Sequence, residues 1–481
     1  MSDTPRHLSD APTYREVLGD RAVVIGAGIG GLAAAAALSR YFREIVVLER
    51  DELPVHAQAR AGTPQSLHGH ALLTGGLRAL CDLIPGFDQN LLDAGAVTVR
   101  AGQDVRFEQM GFNPIPQRDL GWDFVCISRP MNELTLRRRV EQLGNVLIRS
   151  GCRAEALLTT PDGARITGVG FATPQEEGET LVADLVVEAS GSGALTLKLL
   201  EESGRPLPEE TRIGVSLGYS SAVFRRPATA DPNWKICGVF ADPSVGGRGA
   251  LLLPMEGDRW MVTLVGRGSE RPPRDWPGFM GFLESLPGST LFDALKDAER
   301  IGEPALYRFA ASIRRHFERL PDFPSGLLPF SDAICRFNPA FGQGMSIAAQ
   351  EARLLDRLLA ATPRPGEPPA KLARDFFAAA KKLIDTPWGM IVGQDFLYPE
   401  TRGERPADFD QTSAFGAALV RLAVAEPDVH KLWQEVIHLL KPSSVLTDPD
   451  LVRRVKAVIA PSATPAEASD SPREQALEES K

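Results

Sequence analysis

A glycine-rich turn lies between an apolar run and an alanine-rich run near the start of this chain, and it restricts the fold more than any other feature. Residues 22–25 predict a buried strand, and residues 32–38 predict a helix. Gly26 and Gly28 allow a sharp turn and the close approach of a ligand to the backbone, while Gly31 allows the helix to pack against the strand. The order of strand, glycine turn and helix is typical of an α/β domain that binds a dinucleotide.

The residues after this first helix narrow the choice of dinucleotide. A second apolar run, residues 45–48, ends at Glu49, about twenty residues after the glycines, where a carboxylate accepts hydrogen bonds from ribose hydroxyls. A carboxylate at this position argues for an unphosphorylated adenosine ribose, as in FAD or NAD. We include Ile29 and Arg50 in the predicted cofactor site.

Composition excludes several other classes of protein. The chain has 481 residues, which is more than one core supports, so at least two domains are expected. A net charge of −9 disfavours a nucleic-acid partner. The five cysteines are scattered without CxxC spacing, which argues against a disulfide framework and a metal site. The polar N-terminus and the absence of a long apolar stretch lead us to expect a cytoplasmic protein without a membrane span.

A second glycine-rich segment in the other half of the chain combines with the first to indicate FAD. It follows Pro339 and consists of Gly342, Gln343, Gly344 and Met345, and a helix is predicted to begin near its second glycine. The free N–H groups and the dipole of a helix start stabilise the negative charge of a reduced flavin. The simpler interpretation is a helix start with an ordinary Gly-Gln-Gly turn.

Three segments resemble the FAD-dependent monooxygenases of the para-hydroxybenzoate hydroxylase type, in the bacterial branch that contains the polyether epoxidases of polyketide biosynthesis. They are residues 60–73, with the pattern R-x-G-x-P-Q-x-x-H-x-H-x-L, residues 128–130 and residues 332–345. The resemblance implies that Arg60 binds the FAD pyrophosphate and that Arg129 reaches the adenosine side. It also implies that Asp332 binds the ribityl chain. It places three further residues beside the flavin ring: Gly62, Thr63 and Gln65.

The chain departs from the family pattern at two positions. Ser331 stands where the family usually has a glycine before the ribityl aspartate. Residues 188–193, Glu-Ala-Ser-Gly-Ser-Gly, replace the common Asp-Gly motif that is associated with handling of FAD and NAD(P)H. The docking of NAD(P)H therefore stays open at this point.

His68 and His70 are the tentative catalytic residues. They are two positions apart, so in an extended segment both side chains would lie on one face. One of them could steer a proton near the flavin, or both could hydrogen-bond to backbone carbonyls. We favour the structural role.

The fold class predicted from these features is α/β, with a Rossmann-like FAD-binding domain of the glutathione-reductase type, an inserted antiparallel β-sheet substrate domain and a C-terminal helical region. The segments are as follows: a flexible N-terminus (1–20), the first part of the FAD-binding domain (21–200), the substrate domain (201–315), the second part of the FAD-binding domain (316–365), the helical region (366–460) and a disordered tail (461–481).

The resemblance implies a monooxygenase that uses NAD(P)H as a transient reductant and O2, through a flavin C4a-hydroperoxide. Its substrate would be a bulky, largely apolar polyketide-like or polyene-like intermediate, which it would epoxidise or hydroxylate. A separate flavin reductase is a possible partner, and the oligomeric state stays open. The alternatives are a reductase similar to the geranylgeranyl reductases, a halogenase, although no W-x-W-x-I-P segment is present, and a flavin-binding protein without catalysis.

Overall fold

The computed structural model describes residues 17–108, 114–176, 178–228, 230, 232–363 and 366–459. Within these ranges the strands are β1 Gly19–Ile25, β2 Phe42–Leu48, β3 Val97–Arg100, β4 Val105–Glu108, β5 Asp123–Cys126, β6 Val146–Arg149, β7 Arg153–Thr159, β8 Ile166–Ala172, β9 Glu179–Val182, β10 Leu185–Glu188, β11 Glu210–Arg225, β12 Ile236–Val239, β13 Gly249–Met255, β14 Arg259–Arg267, β15 Arg300–Arg315, β16 Leu327–Pro329 and β17 Cys335–Arg336. The helices are α1 Ile29–Leu38, α2 Thr74–Leu83, α3 Phe87–Asp93, α4 Arg129–Glu141, α5 Ala194–Glu202, α6 Trp276–Glu284, α7 Thr290–Leu295, α8 Gly344–Ala360, α9 Leu372–Asp395, α10 Phe409–Ala425, α11 Pro427–Ile437 and α12 Pro449–Ile459.

A five-stranded parallel sheet forms the centre of the cofactor domain, in the order β16-β10-β1-β2-β6. Both faces of β1 are buried: Val24 joins the core around α1 and α8, whereas Val23 joins the core on the opposite side. A strand buried on both faces is apolar throughout, which explains the continuous run that predicted it. The first strand begins at Gly19 and Leu18 is fully buried, so the ordered domain starts before the predicted boundary at residue 20.

The predicted terminal segments fall largely outside the described residues. Residues 1–16 of the predicted flexible N-terminus and the whole predicted tail, residues 461–481, belong to the part of the chain that the structure does not describe. The predicted helical region holds α9, α10, α11 and α12.

A seven-stranded sheet packs beside the parallel sheet, in the order β17-β15-β11-β14-β13-β12-β4. Five of its strands come from the predicted substrate domain and are antiparallel to one another. The inserted strands are antiparallel as predicted, and β4 from the first part of the chain adds to their edge by pairing with β12 in parallel. The short strand β17, from the second cofactor motif, closes the opposite edge. The sheet is therefore built from three separate regions of sequence.

The two faces of this sheet have different environments. Phe224 and Trp260 lie on the face that packs against α6 and α7, where they belong to an apolar core with Phe279. The other face carries Tyr219 and hydroxyl side chains, and it meets the segment that precedes α2. Two smaller sheets, β3-β5 and β7-β8-β9, complete the strands.

The C-terminal helices pack on the cofactor domain. Phe376 of α9 stacks on Phe330, with ring centroids 5.7 Å apart, and Phe377 stacks on Phe317 at 5.1 Å. At the end of α11, the backbone turn at residues 437–439 forms hydrogen bonds with residues of α2 and α8 and with the residue before α8.

Three hydrogen bonds hold this turn. The His438 carbonyl accepts from the backbone N–H of Gly75 in α2 at 2.8 Å. The Ile437 and Leu439 carbonyls accept from the side-chain amides of Gln343 and Gln350 at 3.3 and 3.0 Å. The C-terminal region therefore contacts the starts of both α2 and α8.

Candidate flavin site

The glycine turn after β1 packs tightly against the rest of the protein, except at one position that has free space beside it. Gly26 has a φ of +102°, which lets the chain turn sharply towards α1. A Cβ on Gly31 would lie 1.9 Å from the Gly26 carbonyl oxygen, so only glycine fits there. A Cβ on Gly28 would meet nothing within 4 Å. The turn thus leaves space beside the first N–H groups of α1, which begins at Ile29.

The carboxylate of Glu49 lies against this turn from the end of β2. Its Oε2 accepts from the backbone N–H of Ala27 at 2.7 Å, and its Oε1 accepts from the backbone N–H of Asp51 at 3.0 Å. The structure therefore brings Glu49 to the turn, as expected of a ribose ligand, and that role stays a prediction. The Arg50 side chain is 65% exposed and pairs with Asp51 at 3.9 Å.

Arg60 lies among three carboxylates. Its guanidinium is 2.9 Å from Asp51, 2.9 Å from Glu133 and 3.2 Å from Glu49, and the side chain is only 6% exposed. Asp51 also accepts from the backbone N–H of Gly62 at 2.6 Å, which holds this segment against the end of β2. A phosphate that binds Arg60 would share the guanidinium with these carboxylates. In this arrangement Arg60 orients Glu49, and its contact with phosphate stays a prediction.

Arg129 offers a buried donor without a partner. It begins α4, where the Ser128 hydroxyl caps the helix by accepting from the Met131 N–H. Its Nη2 donates to Glu133 at 3.1 Å, but its Nε is buried and has no hydrogen-bond partner among the described residues. A buried donor left unpaired costs about 1–3 kcal/mol, so an acceptor is expected here. A cofactor could supply it.

Asp332 lies beside the second glycine motif. Burial raises the pKa of its carboxyl, while Arg336 and Arg129 oppose that rise. A Cβ on Gly344 would lie 4.0 Å from Asp332 Oδ1, so the carboxyl faces the start of α8. The carboxyl has no hydrogen bond or ion pair to the described residues, which leaves it free for a ribityl hydroxyl.

Helix α8 begins at Gly344, as the sequence predicts. The turn before it is fixed by Asn338, whose side chain accepts from the Ala340 N–H, and by Gly342, whose φ is +65°. Gln343 is 3% exposed, and its Oε1 has no hydrogen-bond partner among the described residues. The first N–H groups of a helix have no intrahelical acceptor, so this helix start can stabilise an anionic group.

The remaining predicted residues lie around these two helix starts. Thr63 is buried, and Gln65 is half-buried in a short 3-10 turn, Pro64–Leu67, that precedes α2. Pro339 is half-buried before α8, and Met345 in its first turn is buried. These positions agree with the predicted wall of the flavin site, and their contacts with a flavin stay predictions.

The two histidines have different partners. His70 Nδ1 donates to the carbonyl oxygen of His68 at 2.8 Å, as the structural interpretation expects. His68 Nδ1 is instead 2.8 Å from the Ser221 hydroxyl, and its Nε2 is buried without a partner among the described residues. Burial lowers the pKa of His68 to about 4, and burial together with Arg129 lowers that of His70 to about 3. Both imidazoles are therefore neutral at pH 7 and neither is an acid.

Replacing His70 by alanine should leave FAD bound. The change removes one hydrogen bond to a neighbouring carbonyl, worth about 1 kcal/mol, and no charge. The ratio of flavin to protein, measured from the visible absorbance of the purified variant, should equal that of the parent. His56→Ala, a change at an exposed histidine, is the matched control. A colourless His70→Ala variant beside a yellow control would refute the structural role.

Glu351 is a functional candidate that the sequence reasoning missed. It lies on α8 and is fully buried, with Oε2 accepting from the Ser331 N–H at 2.8 Å and Oε1 unpaired among the described residues. Ser331 has a φ of +59°, which explains why a glycine is usual at this position. Burial raises the pKa of Glu351 to about 8. Glu351 lies seven residues after Gly344 and therefore on the same face of α8. This spacing is the sequence feature from which the residue could have been predicted.

Replacing Glu351 by glutamine should flatten the pH dependence of stability. The folded-state pKa of about 8 is above the ordinary glutamate value of 4.5, so between these values the folded state binds more protons than the unfolded state. The free energy of unfolding should fall as pH rises through this window, by up to about 1.4 kcal/mol per pH unit. Urea unfolding at several pH values should show a shallower decline for Glu351→Gln than for the parent or for the exposed control Glu299→Gln. Parallel curves would contradict the raised pKa.

A buried ion pair supports the turn before α8. Arg267 of β14 donates to Asp395 Oδ1 at 2.8 Å, and the two side chains are 7% and 0% exposed. The same oxygen accepts from the Asn338 side-chain amide at 2.9 Å, and Asn338 Oδ1 accepts from the Tyr219 hydroxyl at 3.3 Å. The Arg267 guanidinium also stacks over the ring of Tyr398 at 4.1 Å. The pair therefore connects the seven-stranded sheet and α9 to the second glycine motif.

These features fit a dinucleotide flavin. The space at Gly28 and the carboxylate of Glu49 suit the adenosine and phosphate portion. The carboxyl of Asp332 and the start of α8 suit the ribityl and ring portion. Arg129 has an unpaired Nε and lies near enough to Asp332 to oppose the rise of its pKa, and its contact with the adenosine side stays a prediction.

Comparisons with known proteins lead to the same cofactor. A family model described as an NAD(P)-binding Rossmann-like domain matches residues 24–68, which include the glycine turn and Glu49. The chain is 33% identical over 428 residues to Protein Rv3254 of Mycobacterium tuberculosis, and the aligned region covers 85% of this chain and 88% of that protein. It is 31% identical over 135 residues to the FAD-dependent monooxygenase ntnJ of Nectria sp, and the aligned region covers 28% of this chain and 29% of ntnJ. It is also similar in fold to the flavin-dependent brominase Bmp2, with a TM-score of 0.60 at 14% identity, over 92% of this chain and 97% of that chain.

The chain belongs to the same family as Protein Rv3254, and its fold is that of flavin-dependent monooxygenases and halogenases. Its α/β fold, with a Rossmann-like domain and an adjoining sheet, is that of solved flavoproteins, and FAD is the cofactor. No helix in the described ranges is long and apolar enough to cross a membrane.

Residues 188–193, which stand in place of the Asp-Gly motif of the resembled monooxygenases, hold a buried carboxylate. Glu188 is fully buried and accepts from the hydroxyl of Ser190 at 2.8 Å. It also accepts from the N–H groups of Leu195 and Thr196, at 3.1 and 2.8 Å, in the first turn of α5. The carboxylate is therefore engaged in capping a helix rather than in facing a reductant.

Proposed function

We propose that this chain is an FAD-dependent monooxygenase of the para-hydroxybenzoate hydroxylase type, similar to the polyether epoxidases. It would use NAD(P)H and O2 to epoxidise or hydroxylate a bulky, largely apolar natural-product intermediate. One oxygen atom of O2 would enter the substrate and the other would leave as water, with NAD(P)H supplying the electron pair. When bound, FAD would supply the redox chemistry.

The observation that carries this proposal is that the Asp332 carboxyl faces the start of α8 and that Arg129 lies near enough to act on that carboxyl. Arg129 has a buried Nε without a partner among the described residues, and the helix start beside the Asp332 carboxyl favours negative charge. A reduced flavin requires that stabilisation for its anionic form.

The surroundings of this place are closed and combine hydroxyl with apolar side chains, which is compatible with a largely apolar substrate that carries some polar groups. His68 and Ser66 are 6% and 4% exposed and cover the segment beside the predicted ring. A Cβ on Gly69 would lie 3.0 Å from the Thr263 hydroxyl oxygen and 3.4 and 3.8 Å from Leu253 and Met261, so the sheet presents both hydroxyl and apolar side chains to that segment. Exclusion of water protects reactive oxygen-transfer intermediates. Because transfer of oxygen to an alkene requires no protein base, the neutral histidines are compatible with it.

The decisive experiment follows oxygen and reductant together. FAD-loaded protein would be mixed with NADH or NADPH and apolar polyenes, while an oxygen electrode and nicotinamide absorbance are recorded. We expect equimolar consumption of O2 and NAD(P)H that depends on the polyene, with one oxygen atom from labelled O2 in the product. A parallel sample with an independent flavin reductase tests whether electrons come from a partner.

The competing hypothesis is a flavin-dependent reductase that saturates an alkene. It predicts that NAD(P)H and substrate are consumed while the oxygen trace stays flat. A product that has gained two hydrogen atoms and no oxygen would establish this alternative and overturn the monooxygenase proposal.

A further inference from the structure

Ser331 keeps a backbone conformation that favours glycine. It lies two residues after Pro329, the end of β16, and directly before Asp332, and its φ is +59°. A residue with a side chain is strained in this left-handed region, because its Cβ crowds the backbone. Such strain persists where the surrounding structure holds the residue, and it is frequent at sites that bind a ligand. The serine therefore needs an explanation other than the turn itself, which glycine makes without strain.

Two backbone hydrogen bonds hold Ser331 in this conformation. Its N–H donates to Glu351 Oε2 at 2.8 Å, and its carbonyl accepts from the Ile334 N–H at 2.8 Å. Burial raises the pKa of Glu351 to about 8, so this acid is mostly protonated at pH 7 and places no full negative charge behind the serine. An anion can therefore approach the Ser331 side chain without opposition from Glu351.

The hydroxyl of Ser331 is unpaired and accessible. It has no hydrogen-bond partner among the described residues, and the residue as a whole is half-buried. Its oxygen is not one of the enclosed, unpaired polar atoms of the described ranges, so part of its surface is open to solvent. A ligand can therefore reach this hydroxyl without a rearrangement of the protein.

The Ser331 side chain lies against the first turn of α1. A Cβ on Gly30, the second residue of that helix, would lie 2.9 Å from Ser331 Cβ and 3.0 Å from its Oγ. The Cα–Cβ direction in a helix tilts towards the N-terminus, so the serine meets α1 on the side of its start. The pyrophosphate is predicted at the first N–H groups of α1, beside the open position at Gly28. The hydroxyl therefore lies next to that place.

Ser331 and Asp332 lie between the two helix starts of the flavin site. The Ser331 Oγ is next to α1, whereas Asp332 Oδ1 is 4.0 Å from a Cβ on Gly344 at the start of α8. Neighbouring residues can therefore contact neighbouring portions of one FAD molecule, the pyrophosphate and the ribityl chain. Ionised phosphate oxygens accept hydrogen bonds, and a serine hydroxyl can donate one.

We propose that the Ser331 hydroxyl is a further ligand of FAD and donates a hydrogen bond to its pyrophosphate. The strained backbone directs the side chain towards the start of α1, which a glycine at this position could not use. This inference concerns the cofactor and goes beyond the proposed reaction.

The test compares FAD with two of its parts. FAD-loaded parent and Ser331→Ala are dialysed at pH 7 against buffer, ADP or riboflavin, and each bound compound is quantified by chromatography. ADP carries the pyrophosphate, and riboflavin carries the ribityl chain and the ring. Ser331→Ala should weaken FAD and ADP by about 10-fold each, the loss of one hydrogen bond to a charged group. Riboflavin should bind as it does to the parent.

A glycine variant and a second strained serine separate the hydroxyl from the strain. Ser331→Gly should weaken FAD as Ser331→Ala does, while the unfolding constant of the apoprotein falls about 3-fold because the strain is relieved. Ser216, at the irregularity in β11, is exposed and has a φ of +46°. Ser216→Gly should be stabilised in the same way, and both Ser216→Gly and Ser216→Ala should keep the FAD affinity of the parent.

The contact between Ser331 and Gly30 is tested by a change of sign. Gly30→Ala should destabilise the parent, because the new Cβ meets the serine. In Ser331→Gly the nearest remaining atom is Ala348 Cβ at 3.6 Å, an ordinary contact, so Gly30→Ala should there be neutral or stabilising. If Gly30→Ala has the same effect on urea unfolding in both backgrounds, the two residues do not touch and the inference fails.

The binding results decide the rest. If Ser331→Ala and Ser331→Gly bind FAD as the parent does, the hydroxyl binds water only and the inference is overturned. It is also overturned if the variants weaken riboflavin and spare ADP, because the hydroxyl would then contact the ribityl chain. No substrate or reductant takes part in these measurements. A protein that holds FAD through Ser331 but consumes no O2 would therefore sustain this inference while the proposed function fails.

Discussion

Replacing Gly28 by valine should abolish FAD binding while the apoprotein keeps its stability. Gly28 has φ −73° and ψ 178°, a conformation that valine adopts without strain, and no protein atom lies within 4 Å of a Cβ there. The added side chain would occupy the space in which we place the pyrophosphate. We expect FAD affinity to fall at least about 100-fold, with the free energy of unfolding unchanged within about 1 kcal/mol.

Two further glycine variants make this prediction selective. Gly144 also has no atom within 4 Å of a Cβ, so Gly144→Val should keep both stability and flavin. Gly31→Ala should unfold the domain, because its Cβ would lie 1.9 Å from a carbonyl oxygen. Flavin titration and urea unfolding of all three variants give the measurement. If Gly28→Val binds FAD as the parent does, the cofactor does not approach this turn.

Replacing Asp395 by alanine should lower the free energy of unfolding by about 3–5 kcal/mol. Removal of the carboxylate leaves the Arg267 guanidinium, whose side chain is 7% exposed, as a buried charge without its anion. It also removes the acceptor of the Asn338 amide, which holds the turn before α8. Urea unfolding at pH 7 measures the loss, and flavin affinity should fall with it.

Comparison with an exposed pair and with an apolar replacement tests this explanation. Glu299 is 61% exposed and pairs with Arg225 at 2.7 Å. Its replacement by alanine should lower the free energy of unfolding by at most about 1 kcal/mol. Arg267→Met combined with Asp395→Leu removes both charges and should recover most of the stability. A loss below about 1 kcal/mol in Asp395→Ala would mean that water reaches the pair.

Local order along the chain explains what the sequence predicted well. The strand, turn and helix at residues 19–38 follow one another directly in the sequence. Each glycine is required there for a local steric reason, so the motif can be recognised from these residues alone. Helix α8 was likewise predicted from its first residues, because a helix start is a local event. The strands β11 to β14 lie within residues 201–315, the segment predicted to hold the inserted antiparallel sheet.

Contacts between distant residues explain what the sequence reasoning missed. The parallel pairing of β4 with β12 joins residues about 130 positions apart, and the pair Arg267 and Asp395 spans 128 positions. Arg60 matches a family motif, yet its surroundings depend on Asp51 and on Glu133 from α4. A single sequence contains no signal for such pairings, because any of many carboxylates could have been the partner.

The contacts of the turn at residues 437–439 depend on the number of residues in this stretch more than on which side chains it carries. All three of its bonds to α2 and α8 use its carbonyl oxygens, and Leu439 adopts a φ of +56°. Substitutions there leave the acceptors in place, whereas an insertion or deletion of one residue shifts all three together. Relatives that diverge in this stretch should therefore differ by replacement and keep its spacing, and chimaeras should be joined outside it.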